Sequence, residues 1–244
     1  MIIANWKCNG SREMYKSWSA DFSKDLLLTD NTYLGLAPPS IYFGDIKSYL
    51  TCIPFIGVQD VDYLNGPRTG TISVDMLLDM ECNFSIVGHS ERRQLFNENN
   101  ELIKKKIESL NNRIMTVLCI GETEEENQKG STKNILAEQL GVIKGLELDK
   151  SFTVAYEPVW AIGTGLTPEP NDINEIHKYI KDVVQSISAS NHIPSVLYGG
   201  SVTDVNAESF FKKQYVDGAL VGGASLNGAT FAKIVNIFNG MKQQ

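Results

Sequence analysis

The sequence is poor in the residues that build metal centres and covalent staples. Its 244 residues include four cysteines and three histidines. Cys8, Cys52, Cys82 and Cys119 are scattered, with no Cys-x-x-Cys pair. Neither a disulfide framework nor a zinc site is expected, and reduced thiols in a cytoplasmic protein are. Basic charge is in deficit: 22 Lys and Arg against 29 Asp and Glu leave a net charge of −7. That balance argues against a general nucleic-acid or anionic-membrane surface, although a local field can still hold a small anion. No apolar run approaches the roughly 20 residues that a membrane helix needs. The opening Met1–Lys7 lacks a basic stretch followed by a long apolar region, so a secretory signal is not expected. The sequons at Asn9 and Asn83 then read as chance matches.

Nucleotide-binding fingerprints are missing too. The turn after the first apolar run, Lys7-Cys8-Asn9-Gly10-Ser11, has no Gly-x-Gly-x-x-Gly, and Gly163-Thr164-Gly165-Leu166-Thr167 lacks the third glycine. No Gly-x-x-x-x-Gly-Lys-Ser/Thr occurs. An open, doubly wound sheet is therefore the poorer architecture, and no nicotinamide, flavin or metal cofactor is expected.

What the chain does contain is a regular alternation. Eight short apolar runs, Ile2–Trp6, Tyr33–Ala37, Ile53–Val58, Phe84–Val87, Ile114–Cys119, Phe152–Tyr156, Ser195–Tyr198 and Ala219–Val221, have strand length and nearly continuous hydrophobicity. Parallel strands buried on both faces have this pattern. Amphipathic stretches lie between them. Met14, Trp18, Phe22 and Leu26 recur every fourth residue. Leu102, Ile103, Ile107 and Leu110 make a second stripe, and Ile173, Ile176, Ile180, Val183, Val184 and Ile187 a third. Eight βα units of about thirty residues each, with no linker, predict a single-domain α/β protein, a (β/α)8 barrel over residues 1–244. Such barrels carry their sites on the loops beyond the strands' C-terminal ends.

Those ends carry a distinctive set of residues. The first run stops at Asn5-Trp6-Lys7, which sets a cation at the barrel mouth. The fourth stops at Gly88-His89-Ser90-Glu91. A helix beginning at Ser90 or Glu91 would favour a neutral His89 imidazole, able to donate a hydrogen bond to a carbonyl. His177, beside Lys178 in a helical stretch, is expected to face solvent, and His192 to lie in a loop without a role. The sixth run leads into Glu157-Pro158-Val159-Trp160, a carboxylate whose dehydration would raise its pKa and its strength as a base. The following Ala161-Ile162-Gly163-Thr164-Gly165 reads as a mobile lid. Paired glycines, Gly199-Gly200-Ser201 and Gly222-Gly223, follow the seventh and eighth runs, where barrels often bind phosphate. One base, one neutral electrophile, one cation and one phosphate cradle suit cofactor-free proton transfer on a small phosphorylated carbonyl compound. Phosphate elimination from such a substrate fits them as well.

At these positions the chain resembles the triosephosphate isomerase family. The resemblance rests on Asn5-Trp6-Lys7-Cys8-Asn9-Gly10, Gly88-His89-Ser90-Glu91-Arg92-Arg93, Ala155 through Gly165, Tyr198-Gly199-Gly200-Ser201-Val202 and Asp217 through Leu226, in the family's order. It implies a glycolytic and gluconeogenic isomerase that interconverts dihydroxyacetone phosphate and D-glyceraldehyde 3-phosphate without a cofactor. It also implies that Glu157 is the base, His89 the electrophile and Lys7 the cation that steadies the enediolate. Asn5 would line the site and Glu91 support it, with Gly163, Ser201, Gly222 and Gly223 gripping phosphate. A homodimer joined through the loop around Thr69 is implied as well. That loop departs from the family pattern: Gly66-Pro67-Arg68-Thr69-Gly70-Thr71 has Arg68 where an aromatic is usual and Thr71 where a carboxylate is. Gln59-Asp60 stands where Gln-Asn is common.

Overall fold

Strands and helices alternate along the chain in the computed structural model, which describes residues 1–27, 33–110, 112–162 and 167–242. The strands are β1 (Ile2–Asn5), β2 (Leu34–Ala37), β3 (Phe55–Ile56), β4 (Phe84–Val87), β5 (Met115–Ile120), β6 (Thr153–Tyr156), β7 (Ser195–Tyr198) and β8 (Gly218–Val221). Between and after them come α1 (Arg12–Asp25), α2 (Phe43–Tyr49), α3 (Val74–Asp79), α4 (Ser90–Leu95), α5 (Asn100–Leu110), α6 (Glu124–Gln128), α7 (Thr132–Leu140), α8 (Pro170–Ile187), α9 (Ala207–Phe211) and α10 (Gly228–Lys242). All pairings are parallel, in the order β3-β2-β1-β8-β7-β6-β5-β4. The two ends of this order meet through a parallel bridge between Val58 and Ser85, where the Val58 N–H donates to Phe84 O at 3.0 Å and the Ile86 N–H to Val58 O at 2.9 Å. The expected (β/α)8 barrel is the fold.

The third apolar run yields a two-residue strand rather than the whole of Ile53–Val58. Pro54 has no N–H to give a ladder. Gly57 passes so close to the Phe84 ring that a Cβ there would lie 2.5 Å from it. Gly35 on β2 is similarly tight, its Cβ position 3.1 Å from the same ring. One large ring thus fills the seam that two glycines leave open.

Side chains alternate along each strand. Ile3, Ala37, Phe84, Ile86, Val117, Cys119, Ala155, Leu197 and Leu220 fill the interior of the barrel. Their neighbours, such as Ile2, Ala4, Val154, Tyr156 and Tyr198, join the core between barrel and helices. The same period of two that sends Ile3 and Ala155 inward brings Asn5 and Glu157 to the inner rim above them.

Helix α1 starts at Ser11, whose Oγ accepts the Met14 N–H at 3.0 Å. It buries Tyr15, Trp18 and Phe22. Trp18 stacks on Phe22, with ring centroids 4.6 Å apart. Two helices bury more polarity than their stripes suggested. On α8 the buried set is Ile173, His177, Ile180 and Val184, so His177 is fully buried and not solvated as expected. It falls on the helix's own apolar spacing. Its Nδ1 lies 3.3 Å from Tyr215 O, its ring stands edge-on to Tyr156, and its Nε2 has no hydrogen-bond partner among the described residues. On α5, Lys106 is buried and its Nζ contacts both Asp60 Oδ1 (2.6 Å) and Glu98 Oε1 (2.5 Å). Arg92 completes that cluster through Glu98 Oε1 (2.7 Å) and Asp60 Oδ2 (2.9 Å). Asp60 supplies the second carboxylate for two cations.

Candidate active site

At the C-terminal mouth of the barrel lies a cavity of about 380 Å³. Asn5, Lys7, His89, Glu157, Ser201, Gly222 and Gly223 all line it, with Ile162, Leu220 and Leu226 as apolar wall. Seven residues singled out from the sequence are therefore brought together from five strand ends. Gly163, and with it most of the expected lid, lies outside the described residues.

Glu157 leaves β6 pointing into the rim and is 2% exposed. Its Oε1 lies 2.9 Å from His89 Nε2, and its Oε2 accepts the Ser90 N–H at 2.9 Å. Space for it comes from glycines on both neighbouring strand ends. A Cβ on Gly121 would sit 1.7 Å from the Glu157 carbonyl oxygen, and one on Gly199 would sit 2.9 Å from its Cγ. Burial drives the Glu157 carboxyl up, as its sequence position suggested. The facing His89, the Ser90 N–H and Lys7 outweigh burial and hold it below the ordinary value.

His89 is the N-cap of α4, which begins at Ser90 as anticipated. Its Nδ1 accepts the Glu91 N–H at 3.1 Å. A nitrogen that accepts has its lone pair free, so the ring proton sits on Nε2, facing Glu157. Burial pulls the imidazole down, yet the Glu157 carboxylate outweighs it and holds His89 above its ordinary value. The two groups raise and lower each other because nothing separates them.

Lys7 stands one residue past Trp6 with φ of 50°, a left-handed backbone that costs a non-glycine residue about 1 kcal/mol. Hydrogen bonds hold it there. The Lys7 N–H donates to Asn5 Oδ1 at 3.0 Å, and Gln59 Nε2 donates to Lys7 O at 2.8 Å and Ala37 O at 3.0 Å. Its ammonium pairs with Glu91 Oε1 at 2.5 Å. Such strain clusters at functional positions, although Glu81, outside the cavity, has the same φ. Beyond β8 a short 3-10 turn, Gly223–Leu226, opens toward the cavity with Gly222 at its start. The first N–H groups of any helical turn have no partner within it and favour an anion. Beyond β7 the helix starts only at Ala207, so Gly199, Gly200 and Ser201 line the cavity as loop rather than as a helix end. Ser201 Oγ donates to Ala161 O at 2.8 Å, tying this loop to the one after β6.

A family model described as triosephosphate isomerase matches residues 1–238. The chain belongs to the triosephosphate isomerase family. Curated relatives span nearly its whole length. Triosephosphate isomerase of Erwinia tasmaniensis is 40% identical over 96% of this chain and 95% of its own. That of Legionella pneumophila is 38% identical over 98% of each chain, and that of Serratia proteamaculans 39% identical over 96% of this chain and 95% of its own.

Sequence reasoning missed two supports of the site. Gln59, noted only for its neighbour, braces the Lys7 backbone. Glu122 is wholly buried just beyond β5, where it accepts Tyr156 OH at 3.1 Å, Trp160 Nε1 at 2.9 Å and Asn127 Nδ2 at 3.2 Å. The signal for Glu122 was close to the one used for Glu157, an acid at the end of an apolar strand, here with Gly121 between acid and strand.

Proposed function

We propose that Glu157, His89 and Lys7 carry the reaction of this family, the interconversion of dihydroxyacetone phosphate and D-glyceraldehyde 3-phosphate through an enediolate. The observation that carries the assignment is the meeting, in one cavity, of a buried carboxylate with an imidazole whose proton is on Nε2. Glu157 takes the proton from one substrate carbon and returns it to the next. His89 Nε2–H donates to the carbonyl oxygen as negative charge develops there, and Lys7 adds fixed positive charge. Donors already in place need no reorientation in the transition state. Substrate entering between Glu157 and His89 removes the contact through which each now offsets the other's burial. Burial then weighs more heavily against what remains, the Ser90 N–H and Lys7 at Glu157 and Glu91 at His89, which moves the carboxyl up as a base requires and the imidazole toward its neutral form.

Asn5 lines the substrate, while Gly163, Ser201, Gly222 and Gly223 supply backbone and hydroxyl contacts to phosphate. The chain acts as one domain over residues 1–244, in glycolysis and in the cytoplasm, a place that suits four cysteines with no disulfide among them. It acts as a homodimer. The loop from Asn65 to Thr71 is exposed, and the exposed side chains of Ile41, Leu64 and Phe96 lie in or next to segments that border the same cleft as Arg68 and Thr71. Arg68 folds back on its own chain, Nε to Asp62 Oδ2 at 2.6 Å, so this loop presents no aromatic at that place.

The test is a coupled assay. Glyceraldehyde 3-phosphate is supplied and dihydroxyacetone phosphate is read by NADH loss through an auxiliary dehydrogenase. Glu157→Gln is expected to lower kcat by at least about 10³-fold with an unchanged circular dichroism spectrum. Full turnover in that variant would remove Glu157 as the base.

A further inference from the structure

Glu157 borders two cavities. Behind it, away from the barrel mouth, lies a second one of about 130 Å³. Ser90 and Gln94 line it from the α4 side, and Thr123, Glu126 and Gln139 from the side of β5 and its following helices. His89, at Glu157 Oε1, lines the front cavity, while Ser90, whose N–H reaches Oε2, lines the back one. The carboxylate is thus a partition with one oxygen toward each space. Gly121 leaves room behind it, and Gln139 fixes Gly121 from both sides, accepting its N–H at 2.8 Å and donating to its carbonyl at 2.9 Å. Gln94 is exposed, so the cavity reaches the surface at α4. Its lining mixes apolar surface from Ile120 and Val159 with the polar side chains of Gln94, Thr123, Glu126 and Gln139. A first water needs about 10–15 Å³ of such space and two to four polar partners, so this one has room for a short chain of waters along those side chains.

We propose that the back cavity is the route by which Glu157 exchanges its proton with bulk water while substrate occupies the front. The inference rests on the reading of Glu157 as the base. Once the carboxylate has taken a proton from the substrate carbon, it is a neutral carboxyl. A half-turn about the Cγ–Cδ bond carries the new O–H to the back. In heavy water that O–H breaks as its proton passes to a cavity water, and a deuteron from the same chain forms an O–D in its place. Nothing is oxidised or reduced, and the deuteron is then delivered to the substrate carbon. The route therefore sets what fraction of each turnover keeps the original hydrogen.

The experiment runs the reaction in D2O from glyceraldehyde 3-phosphate and reads by NMR the fraction of product that retains substrate hydrogen. Gln94→Trp and Gln94→Phe narrow the outer mouth without touching the front cavity. Each is expected to raise the retained fraction at least twofold while kcat stays within twofold of wild type. A retained fraction equal to wild type in both, with circular dichroism unchanged, overturns the route. Undiminished turnover in Glu157→Gln would instead remove the base on which it rests, so the two failures are distinguishable.

Discussion

His177 offers a quantitative test of the packing behind the site. Burial pulls this imidazole from 6.5 down to about 4, against the upward pull of Tyr215 O and Asp217 and with a further downward pull from Lys181. The folded chain therefore binds fewer protons at this ring than the unfolded chain does. Its share of stability is complete above pH 6.5 and is lost as the pH falls toward 4. A displacement of that size is worth roughly 3 kcal/mol in all, of which about 2 kcal/mol is gone by pH 5. His177→Phe removes the titration and keeps a ring against Tyr156. Urea unfolding of both proteins at pH 7.5 and 5.0, at one protein concentration, isolates the effect. Other groups, including His89 with its shift in the opposite sense, are common to both proteins and cancel. The wild type is expected to lose about 2 kcal/mol more than the variant between the two pH values. Equal losses would show that the ring is not held neutral by burial.

Gly199→Ala places a methyl group 2.9 Å from Glu157 Cγ. Displacing the base by part of an ångström is expected to lower kcat by about 10- to 100-fold in the coupled assay, and a change below twofold would show that the carboxylate has slack. Light scattering is expected to give twice the mass of one chain, and Thr69→Asp, which puts a charge on the exposed loop, to shift the protein toward single chains. An unaltered mass in that variant would place the contact elsewhere.

The barrel was legible because its signal is repeated eight times. Strand ends such as Phe84–Val87 and Ser195–Tyr198 were read to the residue because the apolar run and the hydrogen-bonded ladder coincide there. The third run misled because Pro54 and Gly57 interrupt the ladder without interrupting the hydrophobicity. The polar site was legible residue by residue, since Lys7, His89 and Glu157 each follow a buried strand and packing gives them no reason to be there. Electrostatic outcomes were not legible. Glu157 is desolvated as expected, but the groups that reverse its shift, His89 first and then the Ser90 N–H 67 residues away in the chain, stand at the start of α4. His177 was misread for a related reason. A polar residue beside charged neighbours looks solvated until the helix is turned to face its barrel.

The seam of the barrel constrains how this sequence can drift. Phe84 occupies the volume that Gly35 and Gly57 leave vacant, and no side chain fits at Gly57 while that ring is present. Overpacking there costs about 1–3 kcal/mol, a sizeable share of any domain's stability. A direct step at 57 is therefore disfavoured, and a larger residue there becomes accessible only after the ring at 84 has shrunk. Among descendants of this chain, a change at position 57 is expected only where position 84 has already changed.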